Sequence, residues 1–306
     1  MDLTGKLLSR EQRLLFYGTT PPRLDSPTEI VERAAERLAE RLLGRDVDAI
    51  VVYDIQDESG RTQVERPFPF TGTVDPREFA SLLRHLTGRP TITYKSLGNL
   101  DESAWRAWLD ESAKDPGFRA LSIVGRPTSG ATYELSLAKA IRLAVAHPSQ
   151  IIVGGVAIAE RHTEKRSEAA RLLAKTVDGC SYFISQTVYT AEPTRQMLSD
   201  YVRDCDKAGI EPRRIVLTFA PCGRERTMQF LRWLGVNVPT EVARSILTSE
   251  APAAKSIQVC RDNLCRILDH SYDLPLGINV ESISLYKDEI EASIELTDVL
   301  SEVLHA

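Results

Sequence analysis

Apolar residues in this chain follow two alternating rhythms. Continuous apolar runs at 151–158 and 182–188 have no helical spacing, as expected of strands buried on both faces. Between them, Leu172, Leu173 and Val177 recur at helical spacing, and Gly179 stops that helix at a C′ position. The same reading predicts strands at 14–20, 49–54, 91–95, 120–126, 214–221 and 278–282. It predicts helices at 26–44, 75–88, 101–113, 133–146, 192–208, 226–234, 241–247, 254–268 and 288–304. Two helix starts are spelled out. Ser26-Pro27-Thr28-Glu29 and Asp75-Pro76-Arg77-Glu78 each read as a capping residue, proline at N1 and glutamate at N3. Residues before Leu14 read as a polar lead-in.

Eight strands, each followed by helix, favour a single (βα)₈ TIM barrel, a fold that takes about 250 residues. A doubly wound open sheet is the alternative. The helices before the last strand and the polar segment 55–74 read as insertions. The latter is a candidate active-site loop because it is long for a compact domain. No repeat or linker divides the chain, so 1–306 reads as one barrel domain.

Composition narrows the function classes. A net charge of −5 leaves no electrostatic footprint for nucleic acid. No apolar run reaches membrane-spanning length, and the N-terminus carries no signal-peptide h-region. Five cysteines without a CxxC pair argue against a disulfide framework or structural zinc; Cys180, Cys205, Cys260 and Cys265 read as buried thiols, and the protein as cytoplasmic. There is no glycine-rich nucleotide fingerprint, Walker sequence or G-x-S-x-G elbow.

A barrel carries its chemistry at the strand C-termini. These are Gly18 to Thr20; Tyr53, Asp54 and then Gln56, Asp57 and Glu58; Tyr94 to Ser96; and Gly125 with Arg126. The second half adds Glu160, His162, Gln186, Tyr189, Pro221 to Arg224 and Asn279 to Ser282. Asp54, Asp57 and Glu58 read either as an acid/base or hard-cation set, or as solvated turn carboxylates. Arg126 reads as an anion clamp or as a surface arginine paired with an acid. His162 is either a ligand contact or a loop cap, and one rim histidine makes no histidine-rich metal centre. Gln186, polar at the end of an apolar strand, reads as a ligand contact. Trp105 and Trp108 read as packing.

Several short motifs run in order along nearly the whole chain. They are Pro21-Pro22-Arg23, Val51-Val52-Tyr53, Leu121 to Pro127, and Gly155-Val156-Ala157 with Glu160-Arg161-His162. Lys175 to Gly179 with Phe183-Ile184-Ser185-Gln186, and Gly235 to Pro239, complete the set. In that order they resemble the methylenetetrahydrofolate reductase family. Its corresponding motifs are F-F-P-P-K/R, V-T-Y, L-A-L-R-G-D-P, G-V-A-x-Y-P-E-G-H, K-x-D-A-G-A-D-F-I-I-T-Q and G-V-x-I/V-P.

The resemblance implies a barrel that passes hydride from NAD(P)H, through FAD, to the methylene of a tetrahydrofolate derivative. It implies Gln186 and Arg126 at the reacting centre, and Tyr53, Gly125, Glu160, His162 and Lys175 around the cofactor. Four positions depart from the family. Gly18 stands where the family has its catalytic glutamate, Arg126 its aspartate, Val124 its arginine and Thr91 its histidine. Asp54, Asp57 or Glu58 is then the expected replacement acid. The segment between His162 and Lys175, shorter than in the family, bears on the flavin phosphates. Two other outcomes are a flavin-free folate-dependent methyltransferase or demethylase, and a folate-binding barrel without redox activity. In each case the partner is a small-molecule folate rather than nucleic acid or membrane, and a homo-oligomer stays open.

Overall fold

The computed structural model describes residues 2–55, 64–98, 100–125 and 134–305. Eight parallel strands close into a barrel in chain order. They are β1 (Leu14–Thr19), β2 (Ala49–Val52), β3 (Thr91–Ser96), β4 (Ala120–Val124), β5 (Ile152–Ala157), β6 (Tyr182–Thr187), β7 (Arg214–Phe219) and β8 (Leu276–Glu281). The helices are α1 (Leu3–Leu8), α2 (Thr28–Leu42), α3 (Pro76–Thr87), α4 (Glu102–Ser112), α5 (Leu137–Val145), α6 (Glu168–Asp178), α7 (Ala191–Ala208), α8 (Glu225–Trp233), α9 (Thr240–Leu247), α10 (Pro252–Leu268) and α11 (Lys287–His305).

Closure explains why successive positions in the strand runs are apolar. Leu14, Phe16, Val51, Ile92, Tyr182, Ile184 and Val216 pack together inside the barrel. Their sequence neighbours Leu15, Tyr17, Ile50, Val52, Phe183, Ile215 and Leu217 pack outside it, beneath the helices. Each such side chain contributes about 1.5–3 kcal/mol by burial. The caps follow local chemistry. Asp75 accepts from Arg77 N with Pro76 in the first turn, Asp101 accepts from Ala104 N, and Ser167 accepts from Ala170 N. Gly88, Gly179 and Gly209 end their helices in the left-handed conformation.

Several boundaries differ from the sequence reading. Pro27, not Ser26, precedes the first residue of α2, because Ser26 N closes a turn onto Arg23 O at 3.0 Å. α5 begins at Leu137 behind the cap Ser136, whereas the predicted start at 133 lies outside the described residues. Most strands stop before their apolar run does, since a ladder ends where its neighbour ends. The lead-in is not loop but α1, whose Leu3 and Leu7 join the inner cluster and plug the barrel floor.

That plug is held by Arg214, the buried first residue of β7. Its guanidinium donates to the carbonyls of Lys6, Leu7 and Ser9 at the end of α1, and to Leu276 O at 2.7 Å. Burial pulls its pKa down to about 10, against the attraction of Asp48. At the other end, the β6–β7 register runs from Ile184↔Val216 to Thr187↔Thr218, so β6 carries an extra residue. Ser185 Oγ fills the gap by accepting from Thr218 N at 2.8 Å. The bulge re-aims Thr187 into the barrel mouth.

Candidate ligand site at the barrel mouth

With the floor plugged, the open end of the barrel is the one at the strand C-termini. β8 carries Gly277, Asn279 and Glu281 on its inner face, between the outward Leu276, Ile278 and Val280. In the β1–β8 ladder Phe16 lies opposite Asn279 and Gly18 opposite Glu281. Tyr53, just past β2, lies over Gly18. A Cβ at residue 18 would meet the Tyr53 hydroxyl at 2.6 Å, so glycine is what lets the phenol occupy this place. The Tyr53 ring packs edge-on against Tyr94, with centroids 4.9 Å apart.

A polar network ties these residues together. Asn279 Nδ2 donates to the Tyr53 oxygen at 2.9 Å and lies 3.3 Å from Thr218 Oγ1. Thr187 Oγ1 donates to Glu281 Oε1 at 3.0 Å. The Tyr53 hydroxyl faces the same carboxyl. Because the phenol oxygen already accepts from Asn279, its own hydrogen is left for Glu281. Glu281 is partly open to the mouth. Its surroundings still withhold enough water to raise its pKa above the ordinary carboxylate value, with the Tyr53 and Thr187 bonds pulling the other way. Burial also pushes the Tyr53 and Tyr94 phenols well up, so both stay neutral.

The residues singled out in the sequence divide between this network and the barrel wall. Tyr53 is part of the network. Asp54 Oδ2 accepts from Ser96 N at 2.8 Å and lies 3.4 Å from Lys95 Nζ, tying the ends of β2 and β3. Gln186 Nε2 donates to Leu234 O at 2.8 Å, while its Oε1 is buried with no protein donor among the described residues. Gly125 follows β4, and among the described residues a Cβ there would touch only Leu137, at 3.4 Å. Arg126, Asp57 and Glu58 lie outside the described residues, as does Gln56.

Three of the residues implied for the cofactor are engaged elsewhere. Glu160, in the short turn Ala159–Arg161, is pushed up by burial and takes a backbone hydrogen bond from Asn237. His162 Nε2 pairs with Asp200 Oδ2 on α7 at 2.9 Å. Lys175 Nζ, on α6, donates to Val156 O at 2.6 Å from behind β5 and lies 3.9 Å from Glu168. Burial lowers its pKa. Glu160, His162 and Lys175 therefore face different neighbours and form no common cradle. As a set these three residues do not fit FAD.

Glu281 falls in the rim segment Asn279 to Ser282 read from the sequence, but belongs to no motif and was not singled out there. Its signal was the alternation of Gly277, Asn279 and Glu281 with three apolar residues, which marks one polar face on a barrel strand. Among the described residues no cluster of His, Cys, Asp and Glu has the arrangement of a metal site. No described helix is long and apolar enough to cross a membrane.

The chain is similar to an uncharacterized protein from Clostridium thermocellum that binds two copies of 5-methyl-5,6,7,8-tetrahydrofolic acid. The two are 29% identical, with a TM-score of 0.82, over 98% of this chain and 99% of the other. A GH99 endo-alpha-mannosidase from Bacteroides thetaiotaomicron, in complex with bis-tris-propane, shares the fold alone. It has a TM-score of 0.50 and 9% identity over 94% of this chain and 96% of that one. No known family model matches the chain, and no curated protein matches it.

Proposed function

We propose that this chain binds a reduced folate in the barrel mouth and reduces a one-carbon bridge on it, with NAD(P)H supplying the hydride. The observation that carries this reading is the end-to-end likeness to a barrel that binds 5-methyltetrahydrofolate. The mouth supports it chemically. Gln186 Oε1 and Asn279 Oδ1 are buried acceptors without protein donors among the described residues, and a reduced pterin ring presents several N–H donors. Tyr53 and Tyr94 offer an aromatic wall beside them.

In this reading the residues position, shield and protonate. A methylene group bridging N5 and N10 becomes a methyl on N5 when hydride adds to the carbon and a proton reaches N10. The nicotinamide is oxidised in the same step, so atoms and electrons balance. The apolar layer beneath Tyr53 and Tyr94 keeps water from the hydride acceptor.

The test is binding followed by turnover. Purified protein titrated calorimetrically with 5-methyltetrahydrofolate is expected to show saturable binding. With the methylene form it is expected to oxidise NADH or NADPH while the visible spectrum shows no bound flavin, either as purified or after incubation with FAD and removal of the free cofactor. Absence of folate binding overturns the reading. Binding without nicotinamide oxidation leaves methyl transfer or a silent binding protein in its place.

A further inference from the structure

We infer that Glu281 is the acid of this site, delivering from β8 the proton that position 18 on β1 cannot supply. The inference rests on the folate reading above and assigns the proton donor within it. Gly18 and Glu281 are ladder partners, so their inner faces adjoin the same part of the mouth. The space that a side chain on residue 18 would fill is taken by Tyr53. An acid at 18 and this tyrosine exclude one another. The tyrosine instead serves the carboxyl one strand away.

The network leaves the carboxyl suitably arranged for the task. Thr187 donates to Oε1, so the acid proton sits on Oε2. The titratable groups facing Glu281 are the phenols of Tyr53 on the β2 side, Tyr94 on β3 and Tyr17 on β1, and the polar ones are Thr187 and Asn279. No described cation acts on it. With no positive charge to hold it ionised, and little water, the carboxyl keeps its proton above the ordinary carboxylate range. In the reaction Oε2–H gives its proton to N10 as the carbon–N10 bond breaks. The resulting N5 iminium accepts hydride to become the methyl group. Solvent then reprotonates Glu281.

The decisive variant is Glu281→Gln, which keeps the shape and removes the proton. Its kcat is expected to fall on the order of 100-fold or more, with folate affinity within a few-fold of the original. The wild-type rate is expected to fall as pH rises through the Glu281 pKa, and that limb is expected to vanish in the variant. Infrared difference spectra between the two proteins, taken on the acid side of the wild-type pH–rate limb, are expected to show a protonated-carboxyl band only in the wild type, and that band is expected to disappear across the limb. Tyr53→Phe is expected to shift that band. If Glu281→Gln does not fold, Thr187→Val serves in its place, since losing a donor to the carboxylate moves the alkaline limb upward. A folate-binding wild type whose Glu281→Gln variant turns over normally overturns this assignment and leaves the folate reading standing. A wild type that binds no folate overturns the reading itself, while a missing infrared band overturns the assignment alone.

Discussion

Replacing Gly18 by alanine adds a single methyl group at the tightest point of the mouth. The new Cβ would lie 2.6 Å from the Tyr53 hydroxyl and 2.9 and 3.0 Å from its ring carbons. Separations of that kind are not tolerated, so the phenol or strand β1 must move. β1 is laddered on both sides, to β2 and β8, and the phenol is the softer element. Moving it costs about 1–3 kcal/mol as overpacking. Losing the Asn279 hydrogen bond, 2.9 Å long here, adds about 1–3 kcal/mol because the amide is buried. A total loss of about 2–6 kcal/mol is expected in urea unfolding, read from the midpoint at constant m. The cycle with Tyr53→Ala isolates the cause. Once the ring is gone the methyl group has room, so the double variant should be more stable than the sum of the single losses predicts, by at least about 1 kcal/mol. A near-neutral Gly18→Ala, or strictly additive losses, would refute the argument that Tyr53 occupies the place of a side chain at 18.

Other consequences can be measured separately. Because its folded pKa is raised, Glu281 contributes stability below its unfolded pKa of about 4.3 that is lost as pH rises through the folded value. Glu281→Gln should therefore be more stable than wild type at pH 8, with the gain shrinking towards pH 4; thermal unfolding across that range checks it. Arg214→Met should leave the carbonyls that end α1 without their donor, costing at least about 2 kcal/mol. Hydrogen exchange should then report faster opening of α1 than of the strands. Lys175→Met and Asp200→Asn should lower thermal stability but leave folate affinity within about two-fold, because both partners act behind the barrel wall. A large loss of affinity in either would return Lys175 or His162 to the site.

Much of the architecture was legible in the chain. The two apolar rhythms specify strands and helices through local geometry: a strand covered on both faces carries apolar residues at successive positions, and a helix packed on one face carries them at helical spacing. Asp75-Pro76, Asp101 and Gly179 act within a turn of their own backbone, so their capping roles followed from spacing alone. The lead-in escaped because α1 is short, and its reason to be helical is a contact with Arg214 far along the chain.

The site was less legible, for the same physical reason. An alternating barrel, a polar rim at its strand ends and a glycine at position 18 could be read from the chain alone. Which rim residues meet was decided by tertiary structure. Barrel closure lays β8 against β1 and sets Glu281 beside Gly18. A bulge in β6 turns Thr187 onto that carboxyl. His162 and Lys175, equally prominent in the chain, are drawn by Asp200 and Val156 into the wall instead. Proton affinity depends on water and charge within a few ångströms. Those surroundings are assembled from strands hundreds of residues apart, and no local pattern encodes them.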